Sequence, residues 1–252
     1  MDKRALVKRL IPPGVRRAIA DARGLSALRG RLERLERRLG KVERQTFSTS
    51  EEMWERSRKR WREALPVTHL TWGREVSGDA FILKADAYGA FGPDKRLLEV
   101  GPGYGRLLKS LVKHGAAFKD YTGVDLSAEN VRYLKETFPG ARFEFVHGDV
   151  ESVRLAAGFD VAMSSLTFKH LFPSFRNALG HLAAQANPGG LFFFDLYEGV
   201  GRHFEADGVT YIRSYTRPEV SDILADAGLE LVAYDEVRHD AEHTRLLVVA
   251  RK

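Results

Sequence analysis

The sequence predicts an α/β protein with a doubly wound, seven-stranded, mainly parallel sheet, in which the last strand is antiparallel and an N-terminal helical arm precedes the sheet. Short apolar runs alternate with helical stretches from Leu97 onward, and such alternation produces a parallel sheet covered by helices on both faces. A glycine-rich loop follows the first run, as in sheets that bind a ligand beyond their carboxyl ends. The last two runs are separated only by Val237 to Thr244, which is too short for a parallel crossover and predicts a hairpin.

The individual elements follow from the same periodicities. Helices are predicted at residues 105–114, 128–137, 174–186 and 217–227, with a further apolar helix from Asp79 to Tyr88. A turn at Gly92-Pro93-Asp94 leads into the first strand. The predicted strands are Leu97–Val100, Tyr121–Asp125, Arg142–Val146, Asp160–Met163, Leu191–Asp195, Leu229–Glu236 and Arg245–Ala250.

Residues 1–64 are predicted to form a basic helical arm, and residues 65–252 the main domain. The first 63 residues contain 19 lysines and arginines against 9 acidic residues, whereas the rest of the chain contains 21 against 25. A basic arm is suited to contact anionic lipid, phosphate or an acidic partner surface, and a solvated helix face is the alternative. The arm ends with a second basic helix, predicted from Glu51 to Ala64 and closed by Pro66.

Within the arm, apolar residues repeat at the spacing of a short heptad seam. The seam predicts self-association through residues 25–42, and a helix that packs on its own domain remains the alternative. Its members are Leu25, Leu28, Leu32, Leu35, Leu39 and Val42.

Composition excludes several function classes. The chain has no cysteine, which removes disulfides, thiolate metal sites and every mechanism that needs a cysteine nucleophile. No run of 18 apolar residues and no secretory leader pattern is present. The sequence therefore predicts a cytoplasmic protein without a transmembrane segment, with peripheral attachment to a membrane through the arm as an option.

The loop Gly101-Pro102-Gly103-Tyr104-Gly105 is the predicted ligand cradle. Glycines permit positive φ and let the backbone approach a ligand, and the helix that follows offers unpaired N–H groups. The spacing differs from the G-x-G-x-x-G/A of dinucleotide-binding loops, because Arg106 stands where a small residue is needed. No Gly-Lys-Ser/Thr follows, so a phosphate-binding P-loop is also excluded.

The glycine loop is preceded by an acidic residue, which gives the pattern Glu99-x-Gly101-x-Gly103-x-Gly105 at the end of the first strand. This pattern resembles the cofactor motif of class I S-adenosylmethionine-dependent methyltransferases, and the resemblance extends over about residues 80–252. Asp125 ends the second strand about 20 residues beyond the glycines, where a carboxylate can accept hydrogen bonds from ribose hydroxyls. The resemblance implies S-adenosyl-L-methionine as the cofactor.

The same resemblance assigns roles at two further strand ends. Asp149 is expected to meet the adenine amino group, and the Val150 backbone N–H a ring nitrogen. For Asp125 and Asp149 the alternative is that each merely caps the next helix. The implied cofactor-binding residues are Glu99, Gly101, Gly103, Gly105, Asp125, Leu126, Asp149, Val150 and Ser164.

The residues at the end of the fourth strand limit the chemical class of the methyl acceptor. Amino-methylating enzymes that act on nucleobases or glutamine typically carry Asn/Asp-Pro-Pro-aromatic there, whereas this chain has Ser164-Ser165-Leu166-Thr167. No carboxylate stands there to begin a divalent-metal site, so no metal is predicted. Together with the absence of cysteine, these exclusions favour O-methylation of a hydroxyl on a sugar, a glycan or a related small molecule.

Three side chains are candidates on the acceptor side. His170 is the candidate general base, because an imidazole near neutral pKa suits proton removal from a hydroxyl; support of the loop is the alternative. Tyr197 and His203 are predicted substrate contacts. Upstream, Trp72 is a candidate lid over the cofactor, with packing at the domain edge as the alternative.

Two other functions remain open. An RNA or protein methyltransferase is one, in which the basic arm holds the substrate and binding falls steeply with salt. The second is a non-catalytic scaffold or assembly protein with a methyltransferase-like domain. The intact glycine motif and Asp125 argue against the scaffold.

Overall fold

A computed structural model describes residues 50–64, 77–239 and 244–252. The predicted heptad seam and Trp72 lie outside these residues. The chain divides between Glu52 and Met53, and the unit from Met53 to Lys252 contains the whole sheet. Most of the second basic helix therefore belongs to the sheet-containing unit, and the division into an arm of residues 1–64 and a domain of residues 65–252 stays a prediction.

The described elements follow one another in the predicted alternation. Helices are α1 (Ser50–Arg62), α2 (Asp79–Ala87), α3 (Arg106–Lys113), α4 (Ala128–Thr137), α5 (Arg176–Gln185) and α6 (Arg217–Asp226), with a 3₁₀ turn at Phe168–His170. Strands are β1 (Arg96–Val100), β2 (Asp120–Asp125), β3 (Phe143–His147), β4 (Phe159–Ser164), β5 (Ala186–Glu198), β6 (Gly201–Phe204), β7 (Tyr211–Tyr215), β8 (Glu230–Arg238) and β9 (Thr244–Arg251). No described helix combines the length and apolar character needed to cross a bilayer.

The sheet is doubly wound, which confirms the predicted fold class. Strands β3, β2, β1, β4 and β5 lie side by side and parallel. Strand β9 pairs antiparallel with β5 on one side and with β8 on the other, as the short β8–β9 connection predicted. The strand order reverses at β1, between β2 and β4, and this switch point is where such sheets bind ligands.

The described sheet has nine strands rather than the predicted seven. The two additional strands, β6 and β7, form an antiparallel hairpin. β5 continues past the predicted end at Asp195, and its last residues pair with β7 at Tyr197–Ser214 and Glu198–Tyr215. The hairpin therefore extends the sheet beside the carboxyl end of β5.

Two hydrophobic clusters cover the two faces of the sheet. Successive residues of β5 point to opposite faces, as strand geometry requires: Phe192 and Phe194 join the cluster under α5 and α6, whereas Leu191 and Phe193 join the cluster under α2, α3 and α4. This arrangement leaves the carboxyl ends of the strands uncovered by either helix layer.

A third cluster places α1 over one end of the sheet. Met53 and Trp54 of α1 pack against Phe172 and against the β6–β7 hairpin residues Phe204 and Tyr211. Since these contacts are apolar and largely buried, α1 is held against the same end of the sheet at which the parallel strands terminate.

Candidate active site

A cavity lies at the carboxyl ends of β1, β2 and β4, with about 1110 Å³ of empty space, part of it open to solvent. The glycine loop after β1 forms one wall, and the segment after β4 forms the facing wall. Helix α1 closes a third side. The lining residues are Ser57, Arg58, Trp61, Ala64, Val100 to Tyr104, Arg106, Val124 to Leu126, Asn130, Gly148 to Val150, Ser165 to Thr167, and Lys169 to Leu171.

The glycine loop has the backbone that its sequence predicts. Gly101 has φ +68°, and a Cβ there would come within 2.5 Å of the Thr167 hydroxyl. Gly105 begins α3 with φ +79°, and a Cβ there would come within 2.7 Å of the Phe138 ring. Gly101 therefore allows the two facing walls to approach, and Gly105 allows α3 to pack against α4.

Asp125 connects the end of β2 to the glycine loop. Its Oδ2 accepts a hydrogen bond from the Gly103 backbone N–H at 2.9 Å, and its Oδ1 accepts from the Ser127 N–H at 2.9 Å and from Asn130 Nδ2 at 3.2 Å. Burial raises the pKa of the Asp125 carboxyl, and these three donors oppose that rise. Ser127, not Asp125, caps α4, so the capping alternative does not apply to Asp125.

Asp149 lines the cavity, and its carboxylate also has two protein partners. Oδ1 accepts from the Glu151 backbone N–H at 3.0 Å, so Asp149 does cap the turn after β3. Oδ2 accepts from the Nε of Arg58 at 2.8 Å, and the same guanidinium pairs with Glu151. A carboxylate offers about four lone-pair sites, so an adenine amino group and these partners are compatible at Asp149.

Arg58 is a functional candidate that the sequence did not single out. Only 3% of its surface is exposed, and its guanidinium lies 4.0 Å from the centre of the Trp54 ring. It is one of five basic residues in α1, and nothing in the local pattern distinguishes it from its solvated neighbours. The acidic pair that holds it lies about 90 residues later in the chain.

Glu99, Gly105 and Ser164 are not among the residues that line the cavity, and their contact with the cofactor stays a prediction. The Glu99 carboxylate is buried behind the loop, where it accepts a hydrogen bond from the Tyr121 hydroxyl at 2.5 Å, and burial raises its pKa to about 7. The Ser164 hydroxyl donates to the Val100 carbonyl at 3.3 Å, between β4 and β1. The remaining predicted cofactor residues, Gly101, Gly103, Asp125, Leu126, Asp149 and Val150, all line the cavity.

His170 lies on the acceptor wall of the cavity. Its Nδ1 donates to the Tyr211 carbonyl at 2.7 Å, and its ring centre lies 4.4 Å from that of Trp61. Burial and the adjacent Lys169 lower the pKa of His170 to about 3. The imidazole is therefore neutral, and the Nδ1–H tautomer places a lone pair on Nε2.

Lys169 also lines this wall and was not predicted. Its side chain is 5% exposed, and its Nζ lies 4.7 Å from the centre of the Tyr197 ring. Burial lowers the pKa of Lys169 to about 8, although Asp195 opposes that shift. The sequence signal that could have identified this residue is a lysine that stands among the apolar residues Leu166, Phe168 and Leu171.

A buried polar network fixes the segment after β4. Asp195 accepts hydrogen bonds from the Ser165 hydroxyl at 2.5 Å, the Leu166 N–H at 2.7 Å and His239 Nε2 at 2.9 Å. Burial acts to raise the pKa of Asp195, but these donors keep it below its ordinary value. Leu166 has φ +63°, a conformation rare for a residue with a branched side chain, so its bond to Asp195 holds a strained backbone at the cavity wall.

The predicted substrate contacts lie outside the cavity wall. The Tyr197 hydroxyl accepts from Arg245 at 2.9 Å, and its ring lies between Lys169 and the Arg245 guanidinium, 4.0 Å away. His203 is exposed on β6, with its backbone paired to Ile212. Tyr197 does not line the cavity itself, but it contacts Lys169, which does. His203 is exposed to solvent. Among the described residues, no cluster of three histidine or acidic side chains is placed to hold a metal ion.

Comparison with known proteins agrees with this geometry. A family model described as a methyltransferase domain matches residues 98–194. The fatty-acid O-methyltransferase of Mycolicibacterium smegmatis is 30% identical over 142 residues, which cover 55% of this chain and 45% of that protein. The malonyl-[acyl-carrier protein] O-methyltransferase of Chlorobium luteolum is 36% identical over 104 residues, 40% of this chain and 39% of that protein. The chain thus spans less than half the length of these relatives.

Solved structures share the fold over most of the chain. The 1,6-didemethyltoxoflavin-N1-methyltransferase of Burkholderia thailandensis, bound to S-adenosylhomocysteine, aligns with a TM-score of 0.66 and 23% identity over 82% of this chain and 91% of that one. An amino pentose methyltransferase from Micromonospora echinaspora, bound to S-adenosylmethionine, aligns with a TM-score of 0.53 and 23% identity over 73% and 92%. Residues 98–194 therefore match a methyltransferase domain, and the described part of the chain has the fold of S-adenosylmethionine-dependent methyltransferases.

Proposed function

We propose that this protein transfers the methyl group of S-adenosyl-L-methionine to an oxygen atom of a small acceptor. The observation that carries the proposal is one continuous cavity with two different walls: the glycine loop and Asp125 on one side, and Lys169 and His170 on the other. The first wall is suited to an adenosyl group, and the second to an acceptor. Methyl transfer requires both to meet in one water-poor space.

The residues of the first wall fit the cofactor. Leu126 and Val150 line this wall and supply apolar surface for a flat base. Asp125 supplies a carboxylate for ribose hydroxyls, and Asp149 an acceptor for an amino group. When bound, the cofactor supplies an electrophilic methyl group on a sulfonium.

The protein's own contribution is to orient the reactants and exclude water. Arg58 fixes α1 to the turn after β3 through its ion pairs with Asp149 and Glu151, and Trp61 packs on His170 across the cavity. These two contacts close the cavity from the α1 side. The Asp195 network holds the facing wall in place.

For the acceptor, the finer proposal is a hydroxyl on a sugar, a glycan or a related small molecule. It rests on the absence of cysteine and of an Asn/Asp-Pro-Pro-aromatic segment after β4. Two of the related proteins are named O-methyltransferases, which supports oxygen as the acceptor atom. His170 offers a neutral imidazole to the acceptor, as a base or as a hydrogen-bond acceptor.

The test of the proposed function has two stages. Calorimetry should show binding of S-adenosylhomocysteine and no binding of NAD; the reverse result would falsify the assignment of the first wall. A screen of nucleotide sugars, glycans and small organic acids with methyl-labelled cofactor should then identify an acceptor that gains label on oxygen. Labelling of nitrogen alone contradicts the acceptor proposal and leaves the cofactor assignment intact.

An RNA methyltransferase is the second candidate. The arm is strongly basic, and a ribosomal RNA small subunit methyltransferase A from Cytophaga hutchinsonii is 37% identical over 65 residues, 26% of this chain. Phosphate contacts by the arm would make RNA affinity fall steeply with salt. Absence of RNA binding at low salt excludes this candidate, and leaves anionic lipid or an acidic protein as the proposed partner of the arm.

A further inference from the structure

The segment after β4 comes very close to the glycine loop on the other side of the cavity. Thr167 lies directly opposite Gly101, since a Cβ on Gly101 would come within 2.5 Å of the Thr167 hydroxyl. Both residues line the cavity. A shift of Thr167 would therefore change the spacing between the wall that fits the cofactor and the wall that fits an acceptor.

The residue before Thr167 has an unfavourable backbone conformation. Leu166 has φ +63°, and it is the single residue other than glycine with a positive φ in the part of the chain that the structure describes. This left-handed region is rarely adopted by residues other than glycine, asparagine and aspartate. Contacts from elsewhere in the fold must therefore hold Leu166 in place.

Asp195 of β5 supplies such a contact. Its Oδ1 accepts a hydrogen bond from the Leu166 backbone N–H at 2.7 Å, and its Oδ2 accepts from the Ser165 hydroxyl at 2.5 Å. The donors around Asp195 keep its pKa below the ordinary value despite burial, so the carboxylate is ionised and both bonds are charge-assisted. One carboxylate thus holds two successive residues of the cavity wall.

Two further side chains complete this buried network. His239, which follows β8, donates from Nε2 to Asp195 Oδ2 at 2.9 Å. Arg106, the first residue of α3, donates to the Ser165 hydroxyl at 2.6 Å. Because α3 begins where the glycine loop ends, Arg106 links the segment after β4 to the loop that faces it.

A buried network of this kind is weak evidence for a role in stability. Taking charged groups out of water costs free energy, and well-packed apolar residues of similar volume are often equally or more stabilising. The members of the network come from α3, from β5 and from the end of β8, and they converge on two residues of one cavity wall. This convergence favours control of the geometry of that wall.

We propose that Asp195 and His239 are positioning residues for methyl transfer, which keep Leu166 in its left-handed conformation and so hold Thr167 against Gly101. The inference rests on the proposed function, because the two walls have to bring cofactor and acceptor together. Neither Asp195 nor His239 is among the residues that line the cavity, so both act through the backbone of the wall. A displacement of about 1 Å at a reacting centre can cost about a hundredfold in rate.

A spectroscopic probe that needs no acceptor provides the first test. The full chain is saturated with S-adenosylmethionine that carries an isotopically labelled methyl carbon, and NMR records the methyl resonance and the backbone amide resonance of Gly101. We expect Asp195→Asn and His239→Leu to shift both resonances, whereas Asp222→Asn, at an exposed position of α6, should leave them unchanged. Unchanged resonances in folded Asp195→Asn and His239→Leu proteins overturn the proposal.

A conservative variant of His239 tests whether its hydrogen bond is what matters. His239→Gln retains a side-chain N–H that can donate to Asp195, so it should shift the methyl and Gly101 resonances less than His239→Leu does. Equal shifts in the two variants overturn the role of His239. If Asp195→Asn does not fold, as thermal unfolding would show, this pair of variants still tests the proposal.

Glycine in place of Leu166 tests whether Asp195 acts through the backbone. Glycine adopts positive φ without steric cost, so the wall of the Leu166→Gly protein depends less on the carboxylate. In that background Asp195→Asn should shift the methyl and Gly101 resonances much less than it does in the wild-type background. Equal shifts in the two backgrounds overturn the proposed action through Leu166.

The same variants separate failure of this inference from failure of the proposed function. If the labelled cofactor does not bind to the wild-type protein, the proposed function is contradicted. The Gly101 amide resonance of the unliganded protein then still measures whether Asp195→Asn displaces the glycine loop and whether Leu166→Gly suppresses that displacement.

Discussion

At the residue scale, Asp125 has a structural contact and a proposed binding role. Its carboxylate holds the Gly103 N–H, and it also lines the cavity. We expect Asp125→Ala to weaken S-adenosylhomocysteine binding by about 2–4 kcal/mol, because one or two charge-assisted hydrogen bonds to the ligand and the anchor of the loop are lost together. Calorimetry measures this change directly.

The matched control for Asp125 lies at the other end of the same strand. Asp120 begins β2 and forms an exposed ion pair with Arg96 at 3.6 Å, and exposed pairs contribute little to stability. Asp120→Ala should therefore leave ligand affinity unchanged. If Asp125→Ala also leaves it unchanged, the ribose assignment is wrong.

For His170 the structure favours a positioning role over proton removal. A group whose pKa is lowered to about 3 is a weak base, since general-base efficiency is greatest when the pKa lies near the working pH. We expect His170→Ala to lower kcat by less than about a hundredfold, mainly through loss of the contacts with Trp61 and the Tyr211 carbonyl. A loss of about 10²–10⁴ with unchanged cofactor affinity would restore the role of base.

At the element scale, helix α1 is part of the cavity. Two truncations separate its role from that of the preceding residues: removal of residues 1–52 retains the α1 side chains that reach the cavity, and removal of residues 1–64 deletes them all. We expect the first truncation to bind S-adenosylhomocysteine within a few-fold of the full chain. The second should bind at least about tenfold more weakly, because it opens the cavity and leaves Asp149 and Glu151 without Arg58.

The two truncations also distinguish a binding role from a folding role. Removal of Met53 and Trp54 exposes the apolar surface of Phe172 and Tyr211, so the shorter protein should melt at a lower temperature. Saturating S-adenosylhomocysteine should raise the melting temperature of the shorter protein by less than it raises that of the longer protein. Equal ligand affinity in the two truncations would show that α1 does not contribute to the cofactor site.

Elements with strong local patterns were predicted well. Helix α4 was predicted at residues 128–137 and is found there, because Ser127 is a good N-cap and apolar residues recur along one helix face. The end of β5 was placed too early, at Asp195. Tyr197 and Glu198 remain extended only because they pair with β7. This pairing is set by the tertiary structure, so it leaves no hydrophobic periodicity in the sequence at the end of β5.

The cofactor wall was predicted where its residues are close in sequence or stand at strand ends. The glycine loop and Asp125 belong to this class. The contact between Arg58 and Asp149 joins residues 91 positions apart, and the burial of Glu99 depends on the Tyr121 hydroxyl of the neighbouring strand. Both depend on packing between elements, which a single sequence does not encode in any local spacing.

At the scale of the whole molecule, the arm and the sheet-containing unit differ in charge. The heptad seam predicted in residues 25–42 would give the arm a means of self-association. We expect removal of residues 1–45 to leave a protein that binds S-adenosylhomocysteine but contains fewer subunits, as the light-scattering mass divided by the mass of one chain gives. An unchanged number of subunits would show that the seam does not join copies of the chain.

The buried carboxyl of Glu99 should contribute to the pH dependence of the stability of the whole domain. Burial raises the pKa of Glu99 from 4.5 to about 7 in the folded protein. The folded state therefore binds this proton more tightly than the unfolded chain does, and the contribution of Glu99 to the free energy of unfolding falls as pH rises from about 4.5 to about 7. Each pKa unit corresponds to about 1.4 kcal/mol, so the contribution of Glu99 is on the order of a few kcal/mol.

Replacement of this carboxyl by its neutral isostere tests that dependence. Glu99→Gln keeps an oxygen that can accept from the Tyr121 hydroxyl and removes the ionisable group. We expect the variant to match the wild type at pH 5 and to be more stable by roughly 2–3 kcal/mol at pH 8 in denaturant titrations. Because Glu99 lies behind the glycine loop rather than in the cavity wall, the Kd of the Glu99→Gln variant for S-adenosylhomocysteine should stay within a few-fold of the wild-type value. A large loss of ligand affinity without a loss of stability would support the predicted contact of Glu99 with the cofactor.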